Sequence, residues 1–154
     1  MSRLANLVFS QTDDATPPID RLSAQARAHF DGNLSRKPAA RPGAPARLSY
    51  STHGADGDFD VSSRPAVAED VAAARDAERS GPIGGLGDLA ARCRTVWIVE
   101  PFDEPPEWLI LDFLALLASV ALGPILTADG RSLLGVRSAR ERSNAMRGGP
   151  SLMR

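Results

Sequence analysis

With 154 residues, 43% of them apolar and 24% charged, the chain has the size and composition of one globular domain that buries a core without staples. A formal net charge of -1 gives no general pull toward nucleic acid or anionic membrane, and the single cysteine, Cys93, excludes an internal disulfide. The opening MSRLANLVFSQTDD lacks the long apolar stretch of a secretory signal, so the expected compartment is the cytoplasm.

The first predicted element is an apolar strand, LANLVFS (Leu4 to Ser10), followed by an acidic loop ending in Pro17-Pro18. In IDRLSAQARAHF, Ile19, Leu22, Ala26 and Phe30 fall on one stripe, which predicts a surface helix lying on a sheet. Residues 35–47 are rich in Pro, Ala and basic side chains. Proline removes backbone donors and restricts the residue before it, so this stretch is expected to be an exposed linker. RLSYSTHGADGDFDVSSR then reads as a hairpin, with the turn expected at Ala55-Asp56-Gly57. The acids Asp56, Asp58 and Asp60 could offer oxygens to a hard cation. However, Val61 and Val67 stand where a calcium loop needs its Gly and Glu, so no metal site is expected.

An Ala-rich helix is predicted after Pro65, closing before Gly81, and with the following short helix it makes a helical connector over 65–93. The glycines of residues 81–87 match neither nucleotide-binding spacing, so no cofactor is expected. Cys93 lies between Arg92 and Arg94, which would favour a thiolate if the three were exposed; beside a strand it reads instead as a small buried hydrophobe. TVWIVE (Thr95 to Glu100) is a second apolar strand. It runs into Asp103, Glu104, Pro105, Pro106 and Glu107, whose acids suit the positive end of the helix that follows.

That helix, from Trp108 to Leu122, is apolar nearly all round, with Asp112 and Ser119 its only polar stripe, so it asks for cover on more than one side. The Ala-rich helix, a second subunit or a bilayer could supply it. The span from Trp108 to Leu126 is about as long as a membrane-spanning helix needs. Against insertion stand Asp112, the Gly123-Pro124 break and the strand-like segments on either side. PILTADGRSLLGVRS reads as a closing hairpin around Ala128-Asp129-Gly130, and residues 139–154 as a flexible basic tail.

Strand, acidic Pro-Pro loop, helix, strand, Ala-Asp-Gly and strand thus occur twice. The expectation is a single α/β (α+β) domain over 1–138, built of two tandem βαββ halves, 4–64 and 94–138. Its sheet would be mostly antiparallel, with helices on one face. This order of elements resembles the duplicated βαββ arrangement of the small-molecule-binding domains of the transcription-regulator effector-binding (GyrI-like) class. The resemblance covers most of the chain in element order and transfers no functional residue.

The expected function is non-catalytic binding or inhibition, through a protein surface or a small-molecule cleft. Trp97, Glu100, Trp108 and Asp112 are the candidate binding residues, since they combine large apolar faces with charge. No catalytic residue is assigned. The alternatives are a small enzyme using the carboxylates near Glu100 or the thiol of Cys93, and a membrane-associated protein using 108–126. A protein partner or small ligand is expected, without specific nucleic-acid binding. The helix over 106–122 is the candidate surface for self-association.

Overall fold

The structure, a computed structural model, describes residues 5–12, 17–38, 45–81 and 84–148. It is mixed α/β. Seven strands, all paired antiparallel, lie in the order β2-β3-β4-β5-β1-β6-β7. In chain order the elements are β1 (Asn6–Ser10), α1 (Ile19–His29), β2 (Gly32–Lys37), β3 (Ala46–Thr52), β4 (Ala55–Pro65), α2 (Ala68–Arg79) and α3 (Leu86–Ala91). Then come β5 (Thr95–Phe102), α4 (Glu107–Ala121), β6 (Ile125–Leu126), β7 (Leu133–Leu134) and α5 (Val136–Gly148).

The tandem βαββ duplication is not confirmed. Strand β1 leaves its own half and lies between β5 and β6, pairing Val8 with Trp97 on one side and with Ile125 on the other. The first half also holds a strand that the sequence did not announce, β2, whose outward residues are polar and whose end merges into the Pro-rich stretch. The linker expected over 35–47 is therefore strand at both margins, and residues 39–44 lie outside the described residues.

The repeated Ala-Asp-Gly serves two different purposes. The β3–β4 turn is His53-Gly54, both with positive φ, as a two-residue hairpin of matching twist requires, so Thr52 faces Ala55 and Asp56-Gly57 sit inside β4. Gly57 is needed for clearance instead: a Cβ there would lie 2.9 Å from that of Pro105 and 3.2 Å from Leu109. Only Ala128-Asp129-Gly130 occupies a turn, with φ +74° at Gly130.

Strand alternation gives the sheet two apolar faces, and helices cover both rather than one. Val8, Leu48, Phe59, Trp97 and Val99 meet α1, α4 and α5, whereas Phe9, Val96, Leu126 and Leu133 meet α2 and α3. The Ala-rich helix therefore does not cover α4, and α1 and α5 supply that cover from within the chain. Twelve of the fifteen α4 residues are buried, including the apolar surface that had suggested a second subunit. The basic stretch from residue 139, expected as a flexible tail, is helical to Gly148. It packs through Ala139 and Ser143, and Ser143 Oγ donates to the carbonyl of Trp108 at 2.7 Å. Small residues there let the two helices approach closely. Helix α4 ends where Leu122 turns left-handed, before Gly123-Pro124 and β6. Among the described residues no helix is long and apolar enough to cross a membrane.

On the reverse face, Asp70 fixes the start of α2. Its carboxylate takes both guanidinium nitrogens of Arg64, at 2.7 and 2.8 Å, and the backbone N–H of Val67 at 2.8 Å. The Arg64 hydrogen bonds hold this carboxyl below the usual carboxylate range.

Candidate functional site

A cleft of about 440 Å³ opens at one end of the sheet. Its position follows from the placement of β1. Because β1 runs antiparallel to β5, the start of one strand lies beside the end of the other, and α4 begins just beyond. Ala5 and Asn6 come from the start of β1, Glu100 and Pro101 from the end of β5, and Glu107, Ile110 and Leu111 from the first turns of α4. The β6–β7 turn adds Thr127, Ala128 and Asp129, and α5 closes one side with Arg142 and Met146.

The turn is rigid for local reasons. Asp129 Oδ1 accepts from Thr127 Oγ1 at 2.7 Å and from the backbone N–H of Arg131 at 2.9 Å, and Thr127 N–H reaches Ser132 O at 3.1 Å. The N–H of Arg131, helped by the Thr127 hydroxyl, holds the Asp129 carboxyl below its ordinary value. Asn6 ties this turn to the sheet: its side-chain Oδ1 accepts the Ala128 N–H at 2.9 Å. Asp129 and the oxygen of Asn6 are therefore already engaged. By contrast, neither Glu100 nor Glu107 has a hydrogen-bond or ion-pair partner among the described residues.

Of the four residues singled out from sequence, Glu100 lines this cleft and the other three lie elsewhere. Trp97 is fully buried in the core, because its place in β5 points it inward opposite Val8 and Ser63. Its indole Nε1 has no hydrogen-bond partner among the described residues. Trp108, at the second position of α4, is half-buried between His53, 6.4 Å away ring to ring, and the Arg147 guanidinium at 5.8 Å. Asp112 is buried under α4 and accepts a 2.5 Å hydrogen bond from the phenol of Tyr50. Burial, followed by that bond, pushes the Tyr50 phenol far above its ordinary value, and nearby Arg140 opposes the shift.

Sequence reading missed Asn6, Thr127, Arg142 and Met146 as cleft residues. One of them had left a signal: Asn6 is a polar residue at an inward position of an otherwise apolar strand, and such a residue needs a partner. The others are distant in the chain: pairing of β1 with β6 brings Thr127 to Asn6, and the packing of α5 on α4 brings Arg142 and Met146.

The thiol alternative is disfavoured by the position of Cys93, which is 6% exposed, donates to Leu89 O at 3.4 Å and has its pKa pushed up to about 11 by burial. Arg92 and Arg94, the neighbours that would have favoured a thiolate, point to solvent. No group of three metal-ligating side chains occurs among the described residues. Comparison of the chain with protein-family models, with curated proteins and with solved structures gives no match.

Proposed function

We propose that the protein is a non-catalytic binding protein that takes a small molecule in the cleft between β1, β5, the β6–β7 turn, α4 and α5. The observation that carries this reading is the composition of the cleft. The apolar residues Ile110, Leu111 and Met146 stand beside the polar residues Asn6, Glu107 and Arg142 in a cavity of ligand size. A ligand held this way meets groups suited to recognition, an apolar wall for affinity and a few fixed polar atoms for orientation.

The test is a screen of a small-molecule library by amide chemical shifts on the protein and on Met146→Trp, which fills the cleft. Met146 is 46% exposed, so the larger ring is tolerated without disturbing the core. Binders are expected to shift the amides of Ala5 and of Thr127 to Asp129, and to be lost in the variant. If every binder perturbs a region away from the cleft, or binds the variant equally well, the reading is overturned. The proposed setting is the cytoplasm.

A further inference from the structure

We infer that the edge of β7 is a second binding site, which takes the carboxyl-terminal end of an extended peptide as an added antiparallel strand. The site shares only Arg142 with the cleft described above. The first observation is the register. Strand β7 is the last of the sheet, with β6 on one side and no strand on the other. Thr127 N–H donates to Ser132 O at 3.1 Å, so Ser132 and, two residues on, Leu134 turn their backbone groups toward β6. Leu133 between them turns its N–H and C=O outward, and neither has a partner among the described residues. An open edge of this kind is a template for one further strand.

The second observation is the groove along that edge. A cavity of about 220 Å³ lies between the end of α2, at Ala77, Glu78, Ser80 and Gly81, and the Ser138–Arg142 side of α5, with residues 131–134 along it. The helices on the two faces of the sheet therefore form its walls, and the edge of β7 runs between them. Strand β7 is two residues long and turns one of them outward, so it can pair with a single residue of a peptide. That suits a chain end better than the middle of a long strand.

The third observation is charge. Arg131 precedes the strand and Arg142 reaches Ser132 Oγ at 3.3 Å, so both residues line the groove where β7 begins. Neither forms an ion pair among the described residues, although Arg131 lies in the field of Asp129, whose Oδ1 is committed to its turn. Glu78, the acid of the lining, accepts the Gly87 N–H at 3.1 Å, which leaves two positive charges against one negative. A peptide running antiparallel to β7 ends at the beginning of that strand. Its penultimate residue then pairs with Leu133, and its terminal carboxylate arrives at Arg131 and Arg142. The same charges oppose a second copy of this chain, since pairing two β7 edges would set the arginines of one copy beside those of the other.

The experiment titrates the whole chain with the peptide acetyl-Ala-Val-Ala-Val as its free acid, as its C-terminal amide, and as the free acid N-methylated at the penultimate alanine. Sodium acetate is the fourth probe. Binding is followed at the backbone amides of Ser80, Ser132 and Leu133, with Ala5 reporting on the other cleft. The free acid is expected to move Leu133 N–H most and to bind at least about tenfold more tightly than the amide, the size of one charge-assisted hydrogen bond. N-methylation removes the donor to Leu133 O and is expected to weaken binding about fivefold or more. In Arg131→Glu, a change at an exposed position, the preference for acid over amide is expected to disappear. Recognition here is by backbone and carboxylate, so one peptide sequence suffices, and the absence of any shift at millimolar peptide overturns the inference. So does equal binding of acid and amide, an unchanged preference in Arg131→Glu, or a shift at Ala5 without one at Leu133. Acetate binding as tightly as the free acid, or no loss on N-methylation, reduces the site to a carboxylate pocket and refutes strand addition.

Discussion

Where the sheet faces α4, the side chains of Leu48, Phe59, Trp97 and Val99 meet a helix buried at twelve of its fifteen positions. On the reverse of the same strands, Arg47, Ser49, Asp58 and Asp60 stand at the surface. The first face is closed by packing. Phe113 stacks on Phe59 with ring centroids 4.1 Å apart, and the buried carboxylate of Asp112 is met by Tyr50. The second is covered by α2 and α3 only over β1, β5, β6 and β7. Elsewhere it neutralises itself with the pairs Lys37–Asp58 and Arg47–Asp60, and Arg47 also stacks on the ring of Phe102 at 4.1 Å. An antiparallel sheet tolerates this asymmetry because alternate residues point to opposite sides. One set of strands can therefore carry a core on one side and a polar surface on the other.

If the closed face holds the stability, the largest loss should come from its centre. Phe113→Ala is expected to cost about 3–5 kcal/mol in urea denaturation, because it removes the stacked ring and leaves a cavity between helix and sheet. A loss under about 1 kcal/mol would show that the packing between α4 and the sheet is not what closes this face.

The buried polar pair sharpens the comparison through pH. Tyr50→Phe leaves Asp112 without its donor, at an expected cost of about 1–3 kcal/mol near neutrality. An unfolded phenol ionises near pH 10, as tyrosine ordinarily does. In the folded protein, burial and the Asp112 bond keep the proton on Tyr50 to higher pH, against the weaker opposition of Arg140 and Thr52. The folded state thus binds more protons than the unfolded one above pH 10. The linked stability is complete below pH 10 and is lost as pH rises past it. Denaturation curves of the two proteins should converge between pH 10 and 11, and a constant gap would contradict this linkage.

The open face should give the smallest effect. Lys37 is half-exposed and its pair with Asp58 is screened by water, so Lys37→Met is expected to change stability by about 0.5 kcal/mol or less. A loss several times larger would mean that the polar face is held together by its ion pairs.

Much of this was legible in the chain. The period of 3.6 in 19–30 and in the Ala-rich stretch gave α1 and α2, and apolar runs gave β1 and β5. What escaped was either weakly patterned or decided at a distance. Strand β2 alternates polar and apolar residues for too short a stretch to stand out beside the prolines. Helix α5 has a mostly polar surface and only two fully packed positions, Ala139 and Ser143, so its arginines read as a tail. The hairpin turn was misplaced by three residues because Asp56-Gly57 is the stronger local signal, while the close passage of Pro105 explains that glycine. In the candidate site, Glu100 was found because an acid at the end of an apolar strand is conspicuous. Arg142 and Met146 were not, since nothing local distinguishes them.

By itself the sequence determined that α4 had to be enclosed, since a helix apolar on nearly every side is stable in water only when covered. It also determined that two apolar strands would lie at the centre of a sheet. Which elements do the covering, and where β1 is inserted, was decided only in the tertiary structure. Hydrophobic burial is non-directional and accepts any partner of matching shape. The covering of α4 by α5 rests on the close approach that Ala139 and Ser143 allow and on the Ser143 bond to Trp108. That same packing brings Arg142 and Met146 to the cleft beside Asn6 and Glu107.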